Sequence, residues 1–327
     1  MSVLSRRRML ASPLLCAALL LVGSVAPSHA GTPMRPETRV ALTQLRDSIR
    51  GWAAICANGA LGLSPNPQCN QGVMLEYSGQ SCAVGERVRC EDVRRSQSAD
   101  GRFWRNPAAA VQGDPLNAFS RDMLMGVFDY LLATRDRGAM ERFYAYLGRN
   151  GNKMCPKATD NRCRLVPGTW GLFGMVMRSL GIPRPFLIRA AEKTVEADLL
   201  LASTTVPPGY QMQLVSHHLM VRRAMGQDTR TMRWAAQHIA KRQPLNPLFR
   251  YLADGATEEV AQLTREICPA QRGALAHDVF FQRELARNAE GKIVVLRDWK
   301  EPVAPLASDV ANGHDCIIVL NSLLSGR

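Results

Sequence analysis

The number and placement of its cysteines constrain this chain more than any other feature of the sequence. Of nine cysteines, Cys16 lies in an N-terminal segment that we expect to be removed, and eight follow that segment. An even number of thiols at this density is typical of a protein that folds in an oxidising compartment and pairs them as disulfides. Four disulfides are therefore predicted among Cys56, Cys69, Cys82, Cys90, Cys155, Cys163, Cys268 and Cys316.

Two of the pairings can be predicted from positions along the chain. Cys155 and Cys163 flank a short loop between two predicted helices, and we expect them to bond to each other. Cys268 would then bond to Cys316 and tie the end of the chain back. The other four cysteines can pair in three ways, all of which stay open. Zinc binding by these cysteines is disfavoured because no Cys-x-x-Cys spacing occurs in the sequence.

Residues 1–30 carry the three parts of an export signal peptide. A basic run from Arg6 to Arg8 precedes an apolar stretch that extends to about Ala26, and small residues end the segment at Ala30. We predict cleavage after Ala30 and a location in the periplasm or outside the cell. The basic run fits both a twin-arginine signal and a general secretory signal, so the export route stays open.

The mature chain is strongly basic. Removal of the signal peptide changes the balance from 41 basic and 28 acidic residues to 38 and 28, a net charge of +10. The basic residues are spread along the chain, which disfavours a nucleic-acid-binding surface. Attraction to anionic glycans, lipids or acidic polymers suits this charge better. No later apolar stretch reaches the roughly 18–20 residues of a membrane span, and we expect a monomer.

The mature chain has two parts of different composition within what we expect to be one compact unit. Residues 31–112 begin with a predicted helix, over about residues 36–60, and continue into a segment rich in turn residues and cysteines at 63–114. We expect that segment to have little regular structure beyond a short ribbon held by disulfides. Residues 113–327 have the pattern of successive helices separated by glycine, proline and asparagine.

Successive helices joined by short loops predict an all-α fold of antiparallel helical hairpins. Only residues 292–296 are typical of a strand. The helices predicted after residue 113 span residues 119–134, 138–149, 169–180, 184–201, 210–226, 229–242, 257–267 and 312–324.

The helix predicted over residues 210–226 has apolar residues around much of its circumference, which is typical of a buried helix. Tyr210, Gln213 and His217 nevertheless share one side of it. A polar stripe inside a buried helix is a candidate site, with Tyr210 and Gln213 as substrate-binding residues and His217 as a catalytic residue. The alternative is that His217 is a core histidine with local hydrogen-bond partners.

Two carboxylates share one face of the helix that is predicted to begin near residue 119. Asp122 and Asp129 are about 10 Å apart along the helix axis, and Gly126 lies between them. A small residue there would leave room for a ligand, so both aspartates are candidate catalytic residues. The alternatives are structural: Asp122, just after a capping Ser120, would meet the positive end of the helix dipole. Asp129 would pair with an arginine of a neighbouring helix.

Glycines at every third position mark another helix. Gly168, Gly171 and Gly174 lie on one side of the helix predicted over residues 169–180. Each glycine costs about 1 kcal/mol relative to alanine in a helix. The stripe therefore predicts either close packing of a second helix or a ligand that lies across it.

Two tryptophans are candidate substrate-binding residues, because flat aromatic rings stack on the faces of sugar rings. Trp170 belongs to the glycine-bearing helix, and Trp104 lies between Arg102 and Arg105 in the turn-rich segment. The alternative for Trp104 is that its ring is half-buried over its own loop.

Successive hairpins, an export signal, buried helices with polar stripes and local disulfides together resemble the six-hairpin, or (α/α) toroid, architecture of secreted glycan-active enzymes. The resemblance covers about residues 119–324 and is one of architecture, without a shared motif. It implies that inner helices line a funnel whose mouth carries acidic residues for acid and base chemistry. Asp122 is the first candidate, with Asp129 or Asp114 as its partner. The sequence predicts fewer helices than six hairpins require, so a partial toroid or a different helical array stays open.

We therefore expect a periplasmic or secreted carbohydrate-active enzyme, a glycoside hydrolase or lyase, that acts on a polysaccharide or envelope glycan without a cofactor. Glycosidases hold their two carboxyl groups about 5 Å apart when configuration is retained and about 6.5–9.5 Å apart when it is inverted.

Two other classes of protein stay open. The His-Asp pairs at 277–278 and 314–315, with His217 or His218 upstream, supply ligand types of a metal-dependent phosphohydrolase or a phospholipase-like esterase. The usual zinc spacing and calcium-loop glycines are absent from the sequence. The remaining class is a non-catalytic protein that binds envelope glycan or another protein.

Overall fold

The chain folds mainly into α-helices, as the sequence predicts. It also has one small antiparallel sheet, of which the sequence predicted only one strand. The computed structural model describes residues 31–53, 74–113, 119–155, 163–268, 270–271, 283–298, 301–302 and 313–326. The helices in these ranges are α1 (Pro36–Trp52), α2 (Met74–Ala83), α3 (Arg87–Arg95), α4 (Pro107–Gln112), α5 (Arg121–Thr134), α6 (Arg137–Arg149), α7 (Pro167–Ser179), α8 (Phe186–Glu192), α9 (Val195–Thr205), α10 (Tyr210–Ala224), α11 (Arg230–Arg242), α12 (Pro247–Asp254), α13 (Glu258–Ile267) and α14 (His314–Ser325). The strands are β1 (Arg283–Arg287), β2 (Ile293–Asp298) and β3 (Glu301–Pro302), paired in that order.

Several predictions fall outside the described residues. These are the signal peptide at 1–30 with its cleavage site, Cys56 and Cys69, and the candidate residues Asp114, His277 and Asp278. One compact unit of the chain comprises Gly31–Arg327. Within the described ranges, no helix is long and apolar enough to cross a membrane.

Five helices form a closed ring at the centre of the fold. α2 packs on α5, α5 on α10, α10 on α12, α12 on α14, and α14 on α2 again. Other helices surround this ring: α1 and α13 pack on α14, α3 on α2, α6 and α7 on α5, and α9 and α11 on α10. The described part of the chain thus has five inner helices surrounded by outer helices.

α2 and α10 run parallel to each other, although they are not neighbours in the ring. Gln213 of α10 contacts Glu76 of α2, and His217, one turn later, contacts Gln80, also one turn later. The contacts thus advance in the same direction along both helices. The first turns of parallel helices lie at the same end, so α2 and α10 begin at the same end of the ring.

The contact between α14 and α2 has the same direction. His314 in the first turn of α14 lies beside Tyr77, with ring centroids 6.1 Å apart. Asn321, farther along α14, donates a hydrogen bond of 2.8 Å to Glu86, just beyond α2. The first turns of α2 and α14 therefore meet at the end of the ring where α5 and α10 also begin.

α2 and α5 pack backbone to backbone through two glycines. A Cβ atom added to Gly79 would lie 2.5 Å from Cα of Gly126, and one added to Gly126 would lie 2.6 Å from Cα of Glu76. Only glycine permits this approach. The prediction that Gly126 leaves room for a ligand between Asp122 and Asp129 is wrong, because the backbone of α2 fills that space.

The glycine stripe of α7 serves helix packing. A Cβ atom added to Gly168 would lie 2.7 Å from Oδ2 of Asp198, and one added to Gly174 would lie 2.8 Å from Oε1 of Glu192. At Gly171 the same atom would collide with backbone at the end of α8. Of the two alternatives that the sequence offers, close packing of α8 and α9 on the stripe is the one observed.

The turn-rich segment contains three helices, α2, α3 and α4, so the prediction that it has little regular structure is wrong. Ser78, Gly79 and Ser81 lower the helix propensity of α2. Packing in the ring, and not local preference, stabilises this helix. The helix predicted over residues 184–201 is also interrupted, because α8 ends at Glu192 and α9 begins at Val195.

Both disulfides predicted from chain positions are present. Cys155 is bonded to Cys163, and Cys268 at the end of α13 is bonded to Cys316 in the first turn of α14. The second bond joins residues 48 positions apart in the sequence and holds α14 against α13.

The third disulfide among the described residues joins Cys82 in α2 to Cys90 in α3 and selects one of the three open pairings. Replacing both residues with serine should lower the free energy of unfolding by about 2.5 kcal/mol, the loop-closure value for cysteines 8 positions apart. Urea unfolding of the oxidised wild type and the double variant would measure the loss. Equal stability would mean that the packing of α2 on α3 holds this part of the chain without the bond.

Candidate active site

Acidic and polar side chains meet where four ring helices begin. Glu76 is the third residue of α2, Asp122 the second of α5, Tyr210 the first of α10 and Asp315 the second of α14. We term these four residues the acidic cluster. Its three carboxyl groups are each at most 2% exposed. Because the positive ends of four helix dipoles point toward the cluster, a negative charge is favoured there.

Glu76 and Asp122 form a hydrogen-bonded carboxyl pair. Two carboxyl groups can make a hydrogen bond with each other only when one of them carries a proton. Burial raises the pKa of Glu76 well above its ordinary value, and the nearby carboxyl groups of Asp122 and Asp315 raise it further. Glu76 therefore keeps its proton at pH values where an exposed carboxyl group would have lost it.

Two residues of α10 hold Glu76 in place. Nε2 of Gln213 donates a hydrogen bond of 2.6 Å to Oε1 of Glu76. Nδ1 of His217 lies 3.1 Å from the same oxygen but is not aligned for a linear hydrogen bond, and its Nε2 contacts the side-chain amide of Gln80. Burial lowers the pKa of His217 to about 3. The imidazole is therefore neutral, as in the alternative interpretation of His217 as a core histidine.

Tyr210 connects the acidic cluster to the protein surface. Its hydroxyl group donates a hydrogen bond to Asp122, and burial raises its pKa, so the phenol keeps its proton. Tyr210 is half-buried, whereas Asp122 is enclosed, and the exposed Arg121 lies close enough to influence the phenol. A substrate that approaches Asp122 from this side meets Tyr210 first.

At the start of α5, Ser120 does not cap the helix as the structural interpretation of Asp122 expects. Ser120 is the N-cap residue of α5, but its side chain makes no capping hydrogen bond. Asp122 instead bonds sideways to Glu76 and Tyr210. Its carboxyl group is thus engaged with neighbouring helices of the ring.

Asp129 lies two turns deeper in the ring than Asp122. It is buried, and no arginine pairs with it among the described residues. Burial raises its pKa well above the ordinary value. The carboxyl group that contacts Asp122 is that of Glu76, whereas Asp129 is about 10 Å away along the helix axis.

Replacing Asp129 with asparagine should make the protein more stable at neutral and alkaline pH. Because the pKa of Asp129 is raised on folding, the folded chain binds this proton more tightly than the unfolded chain. Stability is then lost as pH rises from the unfolded value of about 3.9 through the folded value. Asparagine does not titrate, so the advantage of the variant should grow with pH and vanish below a pH of about 4.

Chemical unfolding at a series of pH values measures this difference. Asp228→Asn is the matched control, since the side chain of Asp228 is 65% exposed. An identical pH dependence for the wild type and Asp129→Asn would contradict the assignment of a buried proton to Asp129.

The two candidate tryptophans have structural contacts. Trp104 is half-buried beneath the guanidinium group of Arg102, which lies 3.7 Å from the ring centroid, and its Nε1 donates to Oγ of Ser98 at 3.0 Å. Trp170 packs edge-on against Phe173, with centroids 5.3 Å apart. Trp104 thus follows the alternative interpretation of a ring that covers its own loop.

The loop that carries Trp104 nevertheless lies at the mouth of the ring. The backbone oxygen of Arg105 accepts a hydrogen bond of 3.1 Å from the backbone nitrogen of Leu75, in the first turn of α2. This places the loop one residue from Glu76. The loop of Trp104 therefore lies near the acidic cluster, although it is distant from Glu76 in the sequence.

Sequence reasoning missed Glu76 and Gln80, because α2 was not predicted. Their spacing of four residues, with Gly79 beside them, is the helical pattern that could have revealed them. The sequence suggested Asp315 only as a metal ligand. No group of three or more histidine, cysteine, aspartate or glutamate side chains in the described ranges is arranged to hold a metal ion.

Known proteins offer no relative for this chain. No protein-family model, no curated protein sequence and no solved structure matches it. The geometry and chemistry of the acidic cluster are therefore the basis for assigning a function.

Proposed function

We propose that this protein is an extracytoplasmic carbohydrate-active enzyme that cleaves a polysaccharide with the carboxyl pair of Asp122 and Glu76. One observation carries the proposal: two buried carboxyl groups lie beside each other where ring helices begin, next to a half-buried tyrosine. The disulfides support folding in an oxidising compartment outside the cytoplasm.

The carboxyl pair combines an acid and a base in one place. Two carboxyl groups in contact cannot both ionise, so one stays protonated while the other accepts protons. Asp122 is the acid/base group, since it lies on the Tyr210 side of the pair, and Glu76 keeps its proton. The phenol of Tyr210 orients Asp122 and can donate a proton to a sugar oxygen.

Contact between the two carboxyl groups bears on the reaction type. Glycosidases need two carboxyl groups separated by at least about 5 Å, with the scissile bond between them. Glu76 and Asp122 are too close for that arrangement and must act as one unit on one face of the sugar. Hydrolysis would then require Asp315 as the second group, whereas elimination needs only Asp122 as base and Tyr210 as acid.

Activity screening of the purified, oxidised protein on bacterial and plant polysaccharides tests the proposal. We expect one class of polysaccharide to be cut with release of new chain ends, and with no loss of rate in EDTA. Elimination would also create an unsaturated product that absorbs ultraviolet light, whereas hydrolysis would not. Loss of all activity in EDTA would favour the metal-dependent esterase, and binding without cleavage would favour a non-catalytic glycan-binding protein.

A further inference from the structure

An apolar tip projects from the protein where α8 begins. Phe186 and Leu187, the first two residues of α8, are 72% and 79% exposed. Pro183 and Pro185, just before them, are exposed as well. Isolated apolar side chains are common on protein surfaces, but adjacent large ones mark a surface that meets another apolar phase. We term residues 183–187 the apolar tip.

The apolar tip is anchored by the residue that follows it. Ile188 is 6% exposed and packs against Gly174 in the glycine stripe of α7. Because Ile188 faces α7, Phe186 and Leu187 on the same short helix point outward. They cannot be buried within the chain unless α8 leaves α7.

Basic side chains flank the apolar tip. Arg189 and Lys193 are exposed, and Arg184 lies within the tip itself. The one acidic residue of α8, Glu192, is offset by Arg184 at 2.7 Å and by Arg178 at 3.3 Å. Residues 178–193 therefore contain four basic residues and one acidic residue, a net charge of +3.

We propose that the apolar tip docks on an anionic lipid surface. The phenylalanine and leucine side chains would enter the boundary between headgroups and acyl chains, while the flanking arginine and lysine side chains bind the anionic headgroups. Apolar insertion combined with basic residues is the usual basis of peripheral membrane binding. The net positive charge around the tip favours such a surface over a second copy of this chain, which would bring the same charge.

Sedimentation of the purified, oxidised protein with vesicles tests the proposal. Vesicles of phosphatidylglycerol and phosphatidylcholine should bind the protein, with affinity that falls as salt is added, and vesicles of phosphatidylcholine alone should bind it weakly. The double substitution Phe186→Ser and Leu187→Ser should weaken binding about tenfold or more. Arg189→Glu with Lys193→Glu should remove the salt-sensitive part of the binding.

The matched control is Val40→Ser with Val88→Ser, at valines that are 58% and 57% exposed on α1 and α3. It should bind the anionic vesicles as the wild type does, and unfolding curves should show that every variant folds. Failure of the wild type to bind anionic vesicles, or equal binding by the Phe186→Ser, Leu187→Ser variant, would overturn the proposal. A wild-type dimer that this variant abolishes would assign the tip to a second copy instead. None of these results depends on whether the protein cleaves a polysaccharide.

Discussion

Replacing Asp122 with asparagine should lower the rate of polysaccharide cleavage by about 10²–10⁴-fold, the usual contribution of a general acid or base. Asparagine has the shape of aspartate but cannot exchange a proton. Its amide group can still hydrogen-bond to Glu76, so no buried group loses its partner. The melting temperature should therefore stay the same. Initial rates and thermal unfolding, measured on the same preparations, test both parts.

Asp228→Asn again serves as the control, since it makes the same chemical change at an exposed site. It should leave the rate and the melting temperature unchanged. If Asp122→Asn lost activity and thermal stability together, the main role of Asp122 would be to stabilise α5 at the positive end of its helix dipole. If it kept full activity, the carboxyl pair would have no part in the reaction.

Replacing Gly79 with alanine should lower the free energy of unfolding by about 3 kcal/mol or more, as expected for overpacking against rigid backbone. The added Cβ atom would lie 2.5 Å from Cα of Gly126, and a backbone atom cannot rotate away as a side chain can. α2 and α5 would have to separate. Since Glu76 lies one turn before Gly79, that separation should also break the carboxyl pair and reduce activity in the molecules that stay folded.

Gly148→Ala is the matched control for this substitution. Gly148 lies within α6, and a Cβ atom added there would have no neighbour within 4 Å. Alanine should therefore stabilise α6 by about 0.5–1 kcal/mol. Urea unfolding compares the two variants. A small effect of the same sign at both glycines would mean that α2 and α5 do not pack as closely as described.

The sequence predicts helices well where apolar residues follow a clear helical period. α5 ends at Thr134 and α10 begins at Tyr210, as the pattern indicates. α2 could not be predicted in the same way, because its serines and Gly79 favour turns and its stability comes from contacts with α5 and α14. Such contacts join residues far apart in the sequence, and a local pattern does not encode them.

The candidate site could likewise be predicted only in part from the sequence. Asp122, Tyr210, Gln213 and His217 could be singled out because each belongs to a polar stripe on an apolar helix. The sequence did not indicate that the two stripes face each other across α2. Asp122 was therefore assigned Asp129, on its own helix, or Asp114 as a partner, whereas the carboxyl group that contacts it belongs to Glu76.

Closure of the ring by α14 has a consequence for biogenesis. α14 is the last of the described helices to leave the ribosome, yet it contributes Asp315 and lies directly beside α2, far earlier in the chain. A nascent chain that has not yet produced α14 therefore has an open interior with apolar surface facing water. The acidic cluster can assemble only after synthesis has passed this helix, so a protein truncated before it should lack a complete cluster and be prone to aggregate.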